Sequence, residues 1–153
     1  MASQGSPAPD ARFTIPDGSV RKVSDFKGQK LVLYFYPKDD TPGCTREAQD
    51  FTSMIAEYAL AGTAVVGVSR DSEKSHAKFI SKYDLKIELG SDVDGSITEA
   101  FGVWVEKSMY GRTYMGIERA TFLIDANGTI AQVWHKVKVA GHVAAVLEAA
   151  RAL

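Results

Sequence analysis

A single cysteine, Cys44, stands in a chain of 153 residues. No disulfide can therefore form within the chain, and no cysteine-based zinc site is available. The three histidines, His76, His135 and His142, show no metal-ligand spacing, so no metal is expected. An excess of charge is also missing. Eighteen Lys and Arg against nineteen Asp and Glu leave a net charge of −1, which removes the bulk argument for nucleic acid or an anionic membrane as partner. No apolar run approaches the length of a membrane span. The opening MASQGSPAPDARF lacks the basic and apolar regions of a secretory signal, and its Ser, Gly and Pro content predicts a flexible lead-in over residues 1–10. The default compartment is then the cytoplasm, which suits a reduced thiol. With 45% hydrophobic and 24% charged residues, residues 11–153 read as one domain.

The pattern of elements is that of an α/β domain. ARFTIPDGSVRKVSDF places Asp17-Gly18 between two short β-prone runs and predicts an N-terminal hairpin with a type I′ turn. KLVLYFYP is a continuous apolar run that suits a central strand buried on both faces. Phe51, Ile55 and Tyr58 then recur at helical spacing. TAVVGVS is a second buried strand. SEKSHAKFISKYD predicts an amphipathic helix with Ala77, Ile80 and Tyr83 inward. IELGSD reads as a short strand and GSITEAFGV as a short helix. RATFLIDANGTIAQVWH is a second hairpin about Asn127-Gly128, and HVAAVLEAARAL closes the chain as a helix. Strand–helix–strand order favours a parallel centre, and the second hairpin adds an antiparallel edge. The expectation is a thioredoxin-like α/β fold: a mixed central sheet flanked by helices.

Cys44 falls at the junction of strand and helix in YFYPKDDTPGCTREAQDF. Pro37 suits a strand exit because it donates no ladder hydrogen bond. Lys38 to Asp40 read as a solvated loop. Thr41 is a candidate hydroxyl cap, and Pro42 fits the first helical position. Cys44 then lies in the first turn, among unpaired N–H groups that favour an anion, and thiolate is the reactive form of cysteine. A buried, inert cysteine is the alternative reading of the same letters. By sequence alone Arg119 is a strand-edge arginine.

PKDDTPGCTREA resembles the active-site segment of peroxiredoxins, with Pro37, Thr41 and Cys44 on the Pro-x-x-x-Thr-x-x-Cys signature. The extended segment, with VVGVSRDSEKSHAKF and AFGVWVEKSMYGRTYMGIERATFLID, is similar to the bacterioferritin comigratory protein, or peroxiredoxin Q, subfamily over nearly the whole chain after residue 10. The resemblance implies a thiol peroxidase without cofactor. Cys44 would be the peroxidatic nucleophile that becomes a sulfenic acid. Arg119 would stabilise thiolate and peroxide, Thr41 would hydrogen-bond the peroxide, and Pro37 would shield the sulfur. Glu47 either orients Arg119 or is an acid favoured by the helix dipole.

The chain departs from that subfamily where some members carry a resolving cysteine. Five residues after Cys44 stands Gln49, and the helix around KFISKY holds Ile80 and no thiol. This resembles a 1-Cys type. A sulfenic acid at Cys44 then needs an outside thiol: thioredoxin, glutaredoxin with glutathione, another small thiol, or Cys44 of a second subunit. The alternative function is a redox-sensing or partner-binding module in which Cys44 oxidises without turnover. A monomer or a weak homodimer is expected. Trp104 and Tyr110 serve either a dimer surface or the core.

Overall fold

The computed structural model describes residues 2–153. Strands β1 (Arg12–Thr14) and β2 (Val20–Lys22) precede β3 (Lys30–Phe35), α1 (Pro42–Ser53), α2 (Ile55–Leu60), β4 (Thr63–Ser69) and α3 (Glu73–Tyr83). There follow β5 (Glu88–Ser91), α4 (Ser96–Ala100), β6 (Trp104–Met109), β7 (Arg112–Ile117), β8 (Ala120–Ile124), β9 (Ile130–Trp134) and α5 (His142–Arg151). Seven strands make one sheet in the order β2-β1-β5-β4-β3-β8-β9. β3, β4 and β5 run parallel, and β8 pairs antiparallel with β3, Val32 facing Leu123. This is the thioredoxin-like arrangement that the element order predicts. Among the described residues, no helix is long and apolar enough to cross a membrane.

The apolar run of β3 fills both faces of the sheet because successive side chains alternate. Val32, Tyr34 and Tyr36 face one core, with Ala48 and Phe51 of α1, Tyr58 of α2 and Phe79 of α3. Leu31, Leu33 and Phe35 face the other, closed by α4, a short 3-10 helix (Val23–Phe26) and the base of the β6–β7 hairpin. β3 is therefore an interior strand, between β4 and β8, and its C-terminal end delivers the chain to the loop before α1.

The structure corrects several expectations. Neither the Asp17-Gly18 nor the Asn127-Gly128 turn is type I′. Each is a three-residue loop, closed by Ile15 N–H to Ser19 C=O and by Asp125 N–H to Thr129 C=O, with the glycine alone at positive φ. The two-residue turn with both residues at positive φ is Tyr110-Gly111, joining β6 and β7. The lead-in lies against the turn between β8 and β9. Gly5 N–H bonds to Ile130 C=O, Ala8 N–H to Gly128 C=O, and Pro7 bridges Thr129. The helix read through Phe51, Ile55 and Tyr58 breaks at Met54. In α3 the buried residues are His76 and Phe79, and Ala77 is exposed. Trp104 is half-buried with the Arg70 guanidinium 3.4 Å from its ring centre, whereas Tyr110 is exposed at the hairpin tip.

Candidate active site

α1 begins where the local chemistry allows it to. Thr41 is the N-cap residue in extended conformation, and Pro42 takes the first helical position. The first intrahelical bond runs from Thr45 N–H to Thr41 C=O (2.8 Å), so the amides of Gly43 and Cys44 precede the ladder. The inward stripe of α1 is Cys44, Glu47, Ala48 and Phe51, at the spacing of one helical face. Packing of Ala48 and Phe51 against β3 thus fixes the rotation that buries both the thiol and the carboxylate. Thr41 does not cap the helix with its side chain. Its hydroxyl instead donates to the Lys38 carbonyl (2.8 Å).

Arg119 arrives from the residue before β8. Its Nη2 donates to Cys44 Sγ (3.2 Å), and its Nη1 donates to Glu47 Oε1 (2.7 Å). One guanidinium therefore spans the sulfur and an acid on the next turn of α1, as its forked donors permit. A Cβ on Gly43 would lie 3.2 Å from Nη2, so the bare glycine leaves room for the guanidinium over the first turn. Glu47 is fully buried and is not in the first turn, which removes the reading of it as an acid placed for the helix dipole.

The electrostatics of this group follow from burial and one shared cation. Burial pushes the Glu47 carboxyl up to about 7, against the charge and hydrogen bond of Arg119. Burial also works against the Arg119 cation, but the charges of Glu47 and Cys44 outweigh it and hold the guanidinium above its ordinary value. Burial and then the charge of Arg119 bring His142 down to about 4, and its Nε2 lies 2.8 Å from Thr121 Oγ1. Lys107 is lowered by burial and by Arg119. Its stem lies across Gly116.

The remaining predicted residues lie outside the hydrogen bonds that join Cys44, Arg119 and Glu47. Pro37 follows the end of β3 and is exposed. Gln49 is exposed on α1, and Ile80 packs partly buried against the core. Asp40 is exposed as expected; it adopts positive φ and binds Lys82 and the Tyr83 hydroxyl of α3. Asp39 is not solvated. It is buried and accepts from Tyr36 (2.6 Å), Ser75 (2.8 Å) and His76 Nδ1 (2.7 Å). The sequence reading missed His76, Ser75 and Gly43. A signal for His76 was present in its three-residue spacing to Phe79. Asp39, Asp71 and His76 bring ligand-type atoms within 4.8 Å of one another, and those atoms already hydrogen-bond within the protein.

The chain resembles known proteins over nearly its whole length. Residues 4–133 match the model of the AhpC/TSA family. The chain is 47% identical over 144 residues to peroxiredoxin Bcp of Bacillus subtilis, covering 94% of this chain and 92% of the relative. It superposes on peroxiredoxin Q of Xanthomonas campestris with TM-score 0.91 and 45% identity, over 99% of this chain and 97% of the other. A structure of the Xanthomonas campestris bacterioferritin comigratory protein, studied for alkyl peroxide reduction, matches with TM-score 0.91 and 44% identity, over 99% and 98% of the two chains.

Proposed function

The chain belongs to the AhpC/TSA family, alongside its Bcp and peroxiredoxin Q relatives, and from that premise we propose how its one thiol turns over peroxide. The protein is a thiol peroxidase: it takes a peroxide as oxidant and a thiol as reductant. Cys44 is the nucleophile. Its sulfur attacks one peroxide oxygen, the O–O bond breaks, and an S–O bond forms. The leaving oxygen takes a proton and departs as water or an alcohol. The observation that carries this reading is the Arg119 guanidinium bonded to Sγ at 3.2 Å, at the open end of α1. It sets a permanent positive charge beside the reacting atoms, where the leaving oxygen gains electron density as the O–O bond breaks.

The supporting residues take distinct parts. Glu47 holds Arg119 by its other nitrogen and so fixes the direction of the fork. Thr41 contributes its hydroxyl to the peroxide, and Pro37 covers the approach to the sulfur. Gln49 and Ile80 occupy the positions of resolving cysteines, so the sulfenic acid is reduced from outside. One thiol condenses with it, forming an S–S bond and releasing water. A second thiol frees Cys44 as thiol and leaves with the first as a disulfide. Alkyl hydroperoxides are included as substrates, as for the Xanthomonas protein.

The test is mass spectrometry of Cys44 after one equivalent of hydrogen peroxide, with and without glutathione, followed by steady-state turnover with a panel of thiols. The expected result is a gain of one oxygen, its replacement by glutathione, and turnover with at least one donor. Oxidation that stops at one equivalent with every donor would favour the redox-sensing module instead.

A further inference from the structure

A buried polar cluster beside the active-site loop takes no part in the reaction above. Its centre is Asp39, two residues before Thr41. His76 is fully buried and joins the Asp39 carboxylate through Nδ1 to the Gly90 carbonyl of β5 through Nε2 (3.0 Å). The Asp39 amide donates to Asp71 Oδ2 (2.9 Å), an oxygen that also accepts from the Ser69 hydroxyl at the end of β4 (2.6 Å). Residue 39 is therefore held by side chain and backbone at once. A buried polar network of this kind is costly unless every member is satisfied, and satisfied it enforces one conformation.

The peptide plane carries the consequence. The Lys38 carbonyl and the Asp39 amide belong to one rigid trans unit and point in opposite directions. Fixing the amide on Asp71 aims the carbonyl the other way, and there it accepts the Thr41 hydroxyl proton at 2.8 Å. A threonine hydroxyl has one proton and two lone pairs. With its proton committed to Lys38, Thr41 meets a peroxide only as an acceptor.

We propose that His76 and Asp71 are positioning residues for peroxide binding, which act by fixing the Lys38–Asp39 peptide and so aiming the Thr41 lone pairs at the peroxide O–H. This rests on Thr41 being the partner of the peroxide. The peroxide donates an O–H to Thr41, which orients the O–O bond for attack by Cys44.

The test uses stopped-flow rates with hydrogen peroxide beside alkylation of Cys44 by iodoacetamide, which reports this thiol alone because the chain has no other. His76→Leu and the milder Asp71→Ala each lower the peroxide rate about tenfold or more, while alkylation stays within roughly twofold. His76→Asn, which keeps a donor near the place of Nδ1, restores most of the rate. In a Thr41→Val background the same changes cost no more than about twofold further, because both act through one hydroxyl. Losses that multiply in that background, or alkylation that falls in step with the peroxide rate, overturn the proposal. A Thr41→Val protein with an unchanged peroxide rate overturns it together with the role given to Thr41, and leaves that of Cys44 standing.

Discussion

Glu47 and His142 both lie within the field of Arg119, and burial drives their titrations in opposite directions. Glu47 moves from 4.5 to about 7, and His142 from 6.5 to about 4. Between pH 4.5 and 7 the folded chain carries a proton on Glu47 that the unfolded chain lacks, so this group makes stability fall as pH rises. Between pH 4 and 6.5 the unfolded chain carries a proton on His142 that the folded chain lacks, so this group's contribution is lost as pH falls. At about 1.4 kcal/mol for each step in pKa, either group alone changes stability by on the order of 3 kcal/mol across its window. Where the windows overlap the two slopes cancel. Glu47→Gln should expose the histidine slope and His142→Gln the carboxylate slope. The assay is urea unfolding of the reduced protein at pH 4.5, 5.5 and 6.5, read as variant minus wild type so that the other acids drop out. For Glu47→Gln the difference in midpoint should climb with pH by roughly 1 M, and for His142→Gln it should fall by as much, given about 1–3 kcal/mol per molar urea. Differences independent of pH for both variants would refute the reasoning.

Removing the cation is the sharpest change to the chemistry: Arg119→Met should lower the second-order rate with hydrogen peroxide by about 100- to 1,000-fold in stopped-flow measurements. Arg119→Lys should recover little of it, because a single ammonium does not span Sγ and Glu47 as the fork does. Gly43→Ala should lower the same rate several-fold without a change in unfolding midpoint, since the new methyl meets only the guanidinium, at 3.2 Å from Nη2. Phe51 is fully buried and stacks on Tyr34 at 4.6 Å; Phe51→Ala should cost about 3–5 kcal/mol in urea unfolding.

Much of this molecule was legible in the letters because its signals are local. KLVLYF is apolar on both faces and had to be interior. Thr-Pro-Gly-Cys describes a helix start, and Cys44 sits in that first turn. What escaped reading depended on contacts between distant segments. Asp39 looks like any loop aspartate until α3 and the end of β4 close over it. Thr41 had the right residue type for a cap, but the Lys38 carbonyl competes for its proton and wins. Asp-Gly and Asn-Gly promised two-residue turns, yet the strands on either side pair one residue further out. The β6–β7 hairpin leaves little trace in the sequence because its side chains are mostly exposed and show little hydrophobic pattern. Arg119 lies seventy-five residues from Cys44, and only a family resemblance connected them before the fold did.

The placement of Gln49 has a mechanical consequence. It lies five residues after Cys44 on the same helix, and five steps of about 100° set the two side chains roughly 140° apart, one buried and the other exposed. A cysteine at that position would reach the sulfur only if α1 came undone. In this chain no internal thiol asks the helix to unwind, so the core formed by Ala48 and Phe51 need not be broken and rebuilt in each cycle. The pace at which the sulfur is regenerated passes from a folding event within the protein to the concentration and approach of a second molecule.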